Sequence, residues 1–186
     1  MPPRLTFVAC AATPAVRAAA FPLDETLDEA GKRDAVKKGE EFRLQSPALT
    51  GPETRAIETA ALLGLEGVVE PDLRDLDVGR WAGCSLSGVA ACEPDALAAW
   101  LSDCSAAPHG GESIEALFSR VSIWLQTIST RRGRLIAVTH PAVIRVAVLA
   151  AIQAGPGSFW NIDISPLTVV DLTSNGRRWA LKSIAS

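Results

Sequence analysis

The chain has 186 residues, of which 48% are hydrophobic and 21% are charged, and its formal net charge at pH 7 is −3. This balance is typical of a globular protein with its own core, and it excludes a disordered, collagen-like or low-complexity chain. A chain-wide basic surface for nucleic acid is excluded as well, and no apolar run has the length of a membrane span. We therefore predict one domain over residues 1–186, with neither nucleic acid nor membrane as a partner.

Cysteine usage indicates a reducing compartment. None of the four cysteines forms a C-x-x-C pair, and the two histidines lie elsewhere, so the spacing of a zinc site is missing. The chain is too long and too poor in cysteine for a disulfide scaffold, and we expect at least three of the thiols to be small buried side chains. The nine residues before Cys10 are too short for a signal peptide. We predict a cytoplasmic protein without a metal or an organic cofactor.

The first part of the chain predicts a strand followed by two helices. Residues 5–9 are an apolar run typical of a buried strand. Residues 27–44 are rich in charge and have a narrow apolar stripe, which indicates a solvent-facing helix. The run from Thr50 to Glu53 is typical of a helix start, with Thr50 as the cap and Glu53 in a capping box. This second helix should end near Leu63.

The middle of the chain is less regular. Val68 and Val69 indicate a second strand, and an irregular segment with alternating acids and bases follows over residues 73–83. One or two short helices, broken at Pro94, are expected within residues 85–103. We interpret residues 85–108 as an insertion that sets ligand specificity, since variable loops on a rigid scaffold commonly do so.

The last third predicts helices and strands in alternation. Apolar positions three and four apart, the first at Ile114 and the last at Ile128, indicate an amphipathic helix that ends at Gly133. A β-branched strand over 135–138, a tight turn at 139–141 and an apolar helix over 142–154 follow, and two strands close the chain at 167–172 and 179–184. Alternating strands and helices predict a three-layer α/β/α sandwich with a mostly parallel central sheet. In such sheets ligands bind beyond the carboxyl ends of the strands, where Cys10 and His140 are expected.

Five short blocks occur in one order along the chain: LDEAG at 27–31, RAIETA at 55–60, LRDLDVGRWAG at 73–83, GGES at 110–113 and VTHPAVIR at 138–145. Each block is weakly specific by itself. Together they resemble the histidine phosphatase superfamily, also called the phosphoglycerate mutase-like family. The resemblance covers nearly the whole chain, and it implies that family's fold and a phosphatase that acts on a small phosphorylated metabolite.

The resemblance also implies roles for individual residues. In the family, a histidine after the first strand attacks phosphorus and carries the phosphoryl group, while arginines and a second histidine neutralise the phosphate oxygens. By position, Arg55 matches a phosphate-binding arginine, His140 matches the second histidine, and Thr13 supplies a hydroxyl beside the phosphate. Asp75 matches the acid that protonates the leaving oxygen, with one methylene less than the family's glutamate.

The first motif departs from the family. The family has R-H-G-x-T, whereas this chain has Ala9, Cys10 and Ala11 in place of the arginine, the histidine and the glycine. Cys10 cannot form a phosphohistidine, and a thiolate there would need positive charge nearby, from Arg55 and a protonated His140. We predict that the chain binds a phosphorylated metabolite or an inorganic anion with weak, altered or lost phosphomonoesterase activity.

Several alternatives stay open at this point. They are an active phosphatase with Cys10 as its nucleophile, different chemistry by a Cys10–His140 thiol–imidazole pair, and a non-catalytic scaffold that binds a partner. We interpret Arg145 as structural, His109 as a surface loop residue, and Trp81 and Trp100 as packing residues. The sequence indicates neither the natural substrate nor the oligomeric state.

Overall fold

A six-stranded sheet forms the centre of the protein in a computed structural model that describes residues 2–40 and 47–185. The strands are β1 (Arg4–Ala9), β2 (Ala48–Thr50), β3 (Gly67–Val69), β4 (Arg134–Thr139), β5 (Val169–Ser174) and β6 (Trp179–Ala185). The helices are α1 (Pro14–Arg17), α2 (Glu29–Gly39), α3 (Thr54–Leu62), α4 (Leu86–Cys92), α5 (Pro94–Ser102), α6 (Ile114–Ile128) and α7 (Pro141–Ala151). Short 3-10 helices cover Pro71–Leu73, Gly79–Trp81 and Pro156–Asn161.

The strand order is β3-β2-β4-β1-β5-β6, which confirms a mostly parallel sheet. Strands β1 to β4 run parallel to one another, whereas β5 is antiparallel to both of its neighbours. Parallel neighbours need a crossover between them, and helices supply it, as α3 does between β2 and β3. The carboxyl ends of β1, β2 and β4 therefore lie at one edge of the sheet.

Helices cover both faces of the sheet and complete the predicted three layers. On one face the apolar side chains of α6, spaced three and four apart, pack with α7 against alternate residues of β1 such as Leu5 and Phe7. On the other face Val8 packs with Ala60 and Leu63 from α3 and the turn after it. The alternation along β1 explains this division, since successive side chains of a strand point to opposite faces.

The helix starts only partly follow the predictions. Asp28 caps α2 by accepting from the Gly31 N–H at 2.6 Å, and Ser113 caps α6 by accepting from the Ala116 N–H at 3.1 Å. The predicted capping box is wrong, because Thr50 ends β2 and Glu53 occupies the N-cap position of α3 without a side-chain capping bond.

Other element boundaries also differ. The predicted helix over 27–44 is α2, and the part of that prediction over 41–44 lies outside the described residues. The tight turn predicted at 139–141 is absent, because β4 leads through His140 directly into α7. Strand β2 and helix α1 were not predicted.

Helix α2 packs against the segment that follows β1. A Cβ atom on Gly31 would lie 2.2 Å from the carbonyl oxygen of Ala12, so only glycine permits this approach. The backbone N–H of Asp28 donates to the same oxygen at 3.1 Å. The residues after Cys10 are thus held in place by the N-terminal turn of a helix.

Helices α4 and α5 belong to a small aromatic cluster beside the main core. Phe21, Trp81 and Trp100 pack with ring centroids 5.6–5.7 Å apart, and the His109 ring lies 5.0 Å from Trp81. Trp81 and Trp100 pack as expected, whereas the prediction of a surface His109 is wrong, since its side chain is only 2% exposed. The predicted break at Pro94 is confirmed.

All four cysteines are free thiols, and their burial contradicts the expectation. Cys10 is buried and Cys104 is half-buried, but Cys84 and Cys92 are exposed near and on α4. Within the described ranges, no helix combines the length and apolarity needed to cross a bilayer.

Candidate active site

The carboxyl ends of β1 and β4 bring Cys10 and His140 together. Ala9 and Thr139 are register partners in the two parallel strands, so the residues after them meet at the sheet edge. The Cys10 N–H donates to the Thr139 carbonyl at 2.8 Å, and Cys10 Sγ lies 3.8 Å from His140 Nδ1. The predicted convergence of thiol and imidazole is therefore present, and both side chains are buried.

Arg55 reaches the same place from the first turn of α3. Its guanidinium donates to Asp75 Oδ2 at 2.7 Å and to the carbonyl oxygen of Leu23 at 3.1 Å. The same Asp75 oxygen lies 3.5 Å from His140 Nδ1. Asp75 thus stands between the guanidinium and the imidazole, and it already forms an ion pair with Arg55.

Glu53 is a site residue that the sequence reasoning missed. Its Oε2 accepts from His140 Nε2 at 2.6 Å, and its Oε1 accepts from the Asp75 backbone N–H at 2.8 Å. The imidazole is therefore placed between a thiol on one side and a carboxylate on the other. The one feature of the sequence that could have indicated a role in the site is the position of Glu53, two residues before Arg55. The spacing of Glu53 from Thr50 favoured a helix cap instead.

The contacts of His140 with Asp75, Cys10 and Glu53 set the charges of the site. Burial by itself lowers the pKa of His140, but Asp75, Cys10 and Glu53 outweigh it and raise that pKa to about 10. Burial raises the pKa of Glu53, but the hydrogen bond and charge of His140 and the Asp75 N–H lower it to about 2. At neutral pH His140 is an imidazolium and Glu53 a carboxylate. The charges of Arg55 and His140 are balanced by those of Asp75 and Glu53.

The side chains of this site other than Glu53 line a cavity of about 730 Å³. The lining includes every residue that the sequence analysis singled out for the site, namely Cys10, Thr13, Arg55, Asp75 and His140. The Thr13 hydroxyl caps α1 by accepting from the Val16 N–H at 3.4 Å. The convergence is thus complete, and the roles of the individual residues stay predictions.

The two neighbours of Cys10 in the first motif differ in position, because Ala11 lines the cavity and Ala9 does not. Ala9 is fully buried in the core with Leu5 and Phe7, and the Ala11 N–H donates to Thr59 Oγ1 at 3.0 Å. Arg145, which we interpreted as structural, lies in the cavity wall. In the described part of the chain, no three or more His, Cys, Asp or Glu side chains are arranged to hold a metal ion.

Known proteins resemble this chain over most of its length. The sequence profile of the histidine phosphatase superfamily (branch 1) matches residues 16–186, a range that begins after the altered first motif. The glucosyl-3-phosphoglycerate phosphatase of Mycolicibacterium vanbaalenii is 29% identical over 157 residues, which cover 75% of this chain and 68% of that protein.

Two further similarities concern protein length and fold. A bifunctional protein of Mycobacterium tuberculosis is 29% identical over 146 residues, so the match covers 72% of this chain but only 37% of that protein. The solved structure of a mycobacterial glucosyl-3-phosphoglycerate phosphatase in complex with VO3 superposes with a TM-score of 0.85 at 24% sequence identity, over 96% of each chain. That superposition shows a shared fold.

Proposed function

The chain belongs to the histidine phosphatase superfamily, branch 1, and on that basis we propose that it binds a small phosphorylated metabolite or an inorganic anion at Cys10, Arg55 and His140. We further propose that its phosphomonoesterase activity is weak or lost. The phosphatases among its relatives support a phosphorylated ligand. The observation that carries the proposal is the meeting of a guanidinium, an imidazolium and a thiol at one end of a single cavity.

Binding follows from the donors that the site offers. Arg55 and His140 place two positive groups around the end of the cavity, and Thr13 adds a hydroxyl. An anion that binds there competes with Asp75 for the Arg55 guanidinium, because Asp75 already holds it at 2.7 Å. We therefore expect weaker phosphate binding than in a site whose cations have no carboxylate partners.

Weak turnover follows from the first motif. Cys10 replaces the histidine that would carry the phosphoryl group, and Ala9 places a methyl group in the core where the family has a guanidinium. Removing even one neutral donor from a transition-state site costs about 10²–10³ in rate, and a missing cation costs at least as much. Asp75 also forms an ion pair with Arg55 at 2.7 Å, and this pair opposes its use as the acid that protonates a leaving oxygen.

One observation favours a second function, an active phosphatase with Cys10 as its nucleophile. The Cys10 sulfur faces the His140 imidazolium, and Glu53 holds that imidazolium from behind. A thiolate there would attack phosphorus as the ester P–O bond breaks, and the leaving oxygen would take a proton from a protonated Asp75. Water would then attack phosphorus, give one proton to the Asp75 carboxylate and break the S–P bond, which releases inorganic phosphate and the thiolate.

A paired measurement separates the two functions. We expect vanadate to raise the melting temperature of the wild-type protein and not that of the Arg55→Met variant, with Arg131→Met as the control on an exposed arginine. We expect p-nitrophenyl phosphate hydrolysis at background. Hydrolysis above background that disappears in Cys10→Ser would establish the second function instead. A melting temperature that no phosphate analogue changes would contradict both and leave a partner-binding scaffold.

A further inference from the structure

The cavity is much larger than a phosphate group. Its volume of about 730 Å³ lies within the range of about 300–1,000 Å³ that is usual for sites of drug-sized ligands. The polar groups of the lining are those of the proposed phosphate site, Arg145 and the indole N–H groups of Trp100 and Trp160. Ion pairs and a sulfur–nitrogen contact of 3.8 Å join four residues of the phosphate site at one end. The remaining volume is therefore available to the organic part of a ligand.

The walls around that volume are apolar. They come from the segment after α1, from α4 and α5, from the start of α7 and from the 3-10 helix Pro156–Asn161. Among the described residues that line the cavity, none is a serine, asparagine, glutamine, lysine or glutamate. A sugar placed there would lose the water around its hydroxyl groups and gain few side-chain partners, chiefly the otherwise unpartnered indole N–H of Trp100, which is unfavourable.

The rim carries large apolar side chains that are incompletely buried. Four of them come from four different elements around one opening: Val16 is 51% exposed, Leu86 44%, Leu101 47% and Trp160 40%. Isolated apolar residues on a surface are common, but several around one cavity mark a site for an apolar group. A ligand that covers these side chains removes their apolar surface from water.

Among the described residues of the cavity wall, Arg145 is the one charged residue outside the phosphate site. Its guanidinium already has aromatic and carboxylate partners. Its guanidinium carbon lies 5.3 Å from the centroid of the Phe159 ring and 5.9 Å from that of Trp160. It also contacts Asp163 at 3.5 Å. A guanidinium that stacks on aromatic rings and has a carboxylate partner leaves the wall suited to an apolar group rather than to a second phosphate.

We propose that the ligand is a phosphate monoester of a bulky apolar alcohol or phenol, with the phosphate at Arg55 and His140 and the apolar group between α4, α5 and Trp160. This inference rests on the proposed function, and it excludes sugar phosphates and phosphoamino acids as preferred ligands. An aryl group and an isoprenoid chain share the required chemistry, so the experiment must include both.

The test measures binding by isothermal titration calorimetry, which does not depend on turnover. The probes are vanadate, glucose 6-phosphate, phosphoserine, 1-naphthyl phosphate and geranyl monophosphate, with 1-naphthol as the uncharged control. We expect 1-naphthyl phosphate or geranyl monophosphate to bind at least about tenfold more tightly than glucose 6-phosphate, because each buried methylene group favours binding by about fourfold. The tighter of the two identifies the class of apolar group.

Variants at the rim test the position of the apolar group. Leu101→Asn and Trp160→Ala should weaken binding of the preferred apolar ester several-fold and leave vanadate binding unchanged. Ile123→Asn is the matched control, since Ile123 is an exposed apolar residue on α6 away from the cavity. It should change neither.

The outcomes separate this inference from the proposed function. If vanadate and every ester fail to bind, the proposed function is wrong and this inference fails with it. If vanadate binds but the apolar esters bind no more tightly than glucose 6-phosphate, only this inference is wrong. If 1-naphthol binds as tightly as 1-naphthyl phosphate, the phosphate end contributes nothing and the inference is wrong as well.

Discussion

At the scale of single residues, His140 connects the groups of the site because its two ring nitrogens have different partners. Nδ1 lies near Cys10 and Asp75, and Nε2 donates to Glu53. A carboxylate on the far nitrogen fixes the orientation of an imidazole and favours its charged form. Glu53 is therefore a positioning residue that acts through His140 rather than on a ligand.

Removing the charge of Glu53 tests this role. In Glu53→Gln we expect the pKa of His140 to fall well below its value of about 10, because a neutral amide no longer stabilises the imidazolium. We also expect a loss of about 1–3 kcal/mol in the free energy of unfolding, the usual cost of an impaired buried hydrogen bond to a charged group. Histidine NMR titration and urea unfolding measure the two effects. Glu115→Gln, on the exposed side of α6, is the control and should change neither.

The same residues predict how stability depends on pH. The folded state holds the His140 proton up to about pH 10, whereas the unfolded chain releases it near pH 6.5, so the unfolding free energy should fall as pH rises between these values. Glu53 has its effect at acidic pH, where the unfolding free energy should fall as pH decreases from about 4.5 to about 2. Urea unfolding across the range measures both slopes. A His140→Asn variant with an unchanged slope above pH 6.5 would contradict the assignment.

Restoring the first motif tests whether the rest of the site is intact. We expect the Ala9→Arg/Cys10→His double variant to hydrolyse p-nitrophenyl phosphate at least about 10²-fold faster than the wild type, since it regains both a nucleophile and a cation. Ala9 is buried in the core, so the single variant Cys10→His, which leaves the core unchanged, is the companion. If both variants fold and neither exceeds the wild type, Asp75 and Arg55 do not form a functional phosphatase site.

The sequence predicted those site residues whose chemical type and whose position in a family motif both indicate the same chemistry. Cys10, Arg55 and His140 follow from the order of the family blocks, and the structure brings them together. Glu53 and Arg145 could not be found in this way, because each has an ordinary local explanation as a helix cap or a structural arginine. Their contacts depend on packing between elements far apart in the chain.

At the scale of elements, the short connection from β2 to α3 aligns Glu53 with His140. It contains Gly51, where a Cβ atom would lie 2.9 Å from His140 Nε2 and 2.8 Å from the Leu73 carbonyl oxygen. The backbone oxygen cannot move aside easily, so glycine is required by space at this position. The position of the carboxylate against the imidazole thus depends on a loop with no side chain at its first residue.

A methyl group at this position should disturb the site. We expect Gly51→Ala to destabilise the protein by about 1–3 kcal/mol, the usual cost of overpacking, and to weaken vanadate binding. Thermal unfolding with and without vanadate measures both effects. Gly155→Ala is the matched control, because a Cβ atom there meets nothing within 4 Å. If both variants behave like the wild type, the loop has room that the structure does not show.

The strand and the helix that were not predicted, β2 and α1, are both short. Strand β2 has three residues and α1 has four, so a hydrophobic pattern does not repeat along either of them. Longer elements such as α6 were predicted close to their observed bounds because several buried positions repeat along them. Strand β2 becomes a strand through pairing with β3 and β4, which no local signal reveals.

At the scale of the whole molecule, the class of fold followed from the alternation of strands and helices, but the direction of β5 did not. Strand β5 has the apolar content of a buried strand whether it runs parallel or antiparallel to β1. Its direction follows from where the chain re-enters the sheet, since β5 begins beside Val8 near the carboxyl end of β1 and reaches Arg4 with Thr173. The role of residues 85–108 as a specificity insertion stays a proposal, and the rim variants described above test part of it.

The central place of β1 has a consequence for biogenesis. Strand β1 is synthesised before both of its neighbours in the sheet, β4 and β5, and the two residues of the thiol–imidazole contact are 130 positions apart. The nascent chain must therefore keep this apolar segment unpaired until β4 and β5 have been synthesised. Such late, non-local closure slows folding and exposes this apolar segment to aggregation.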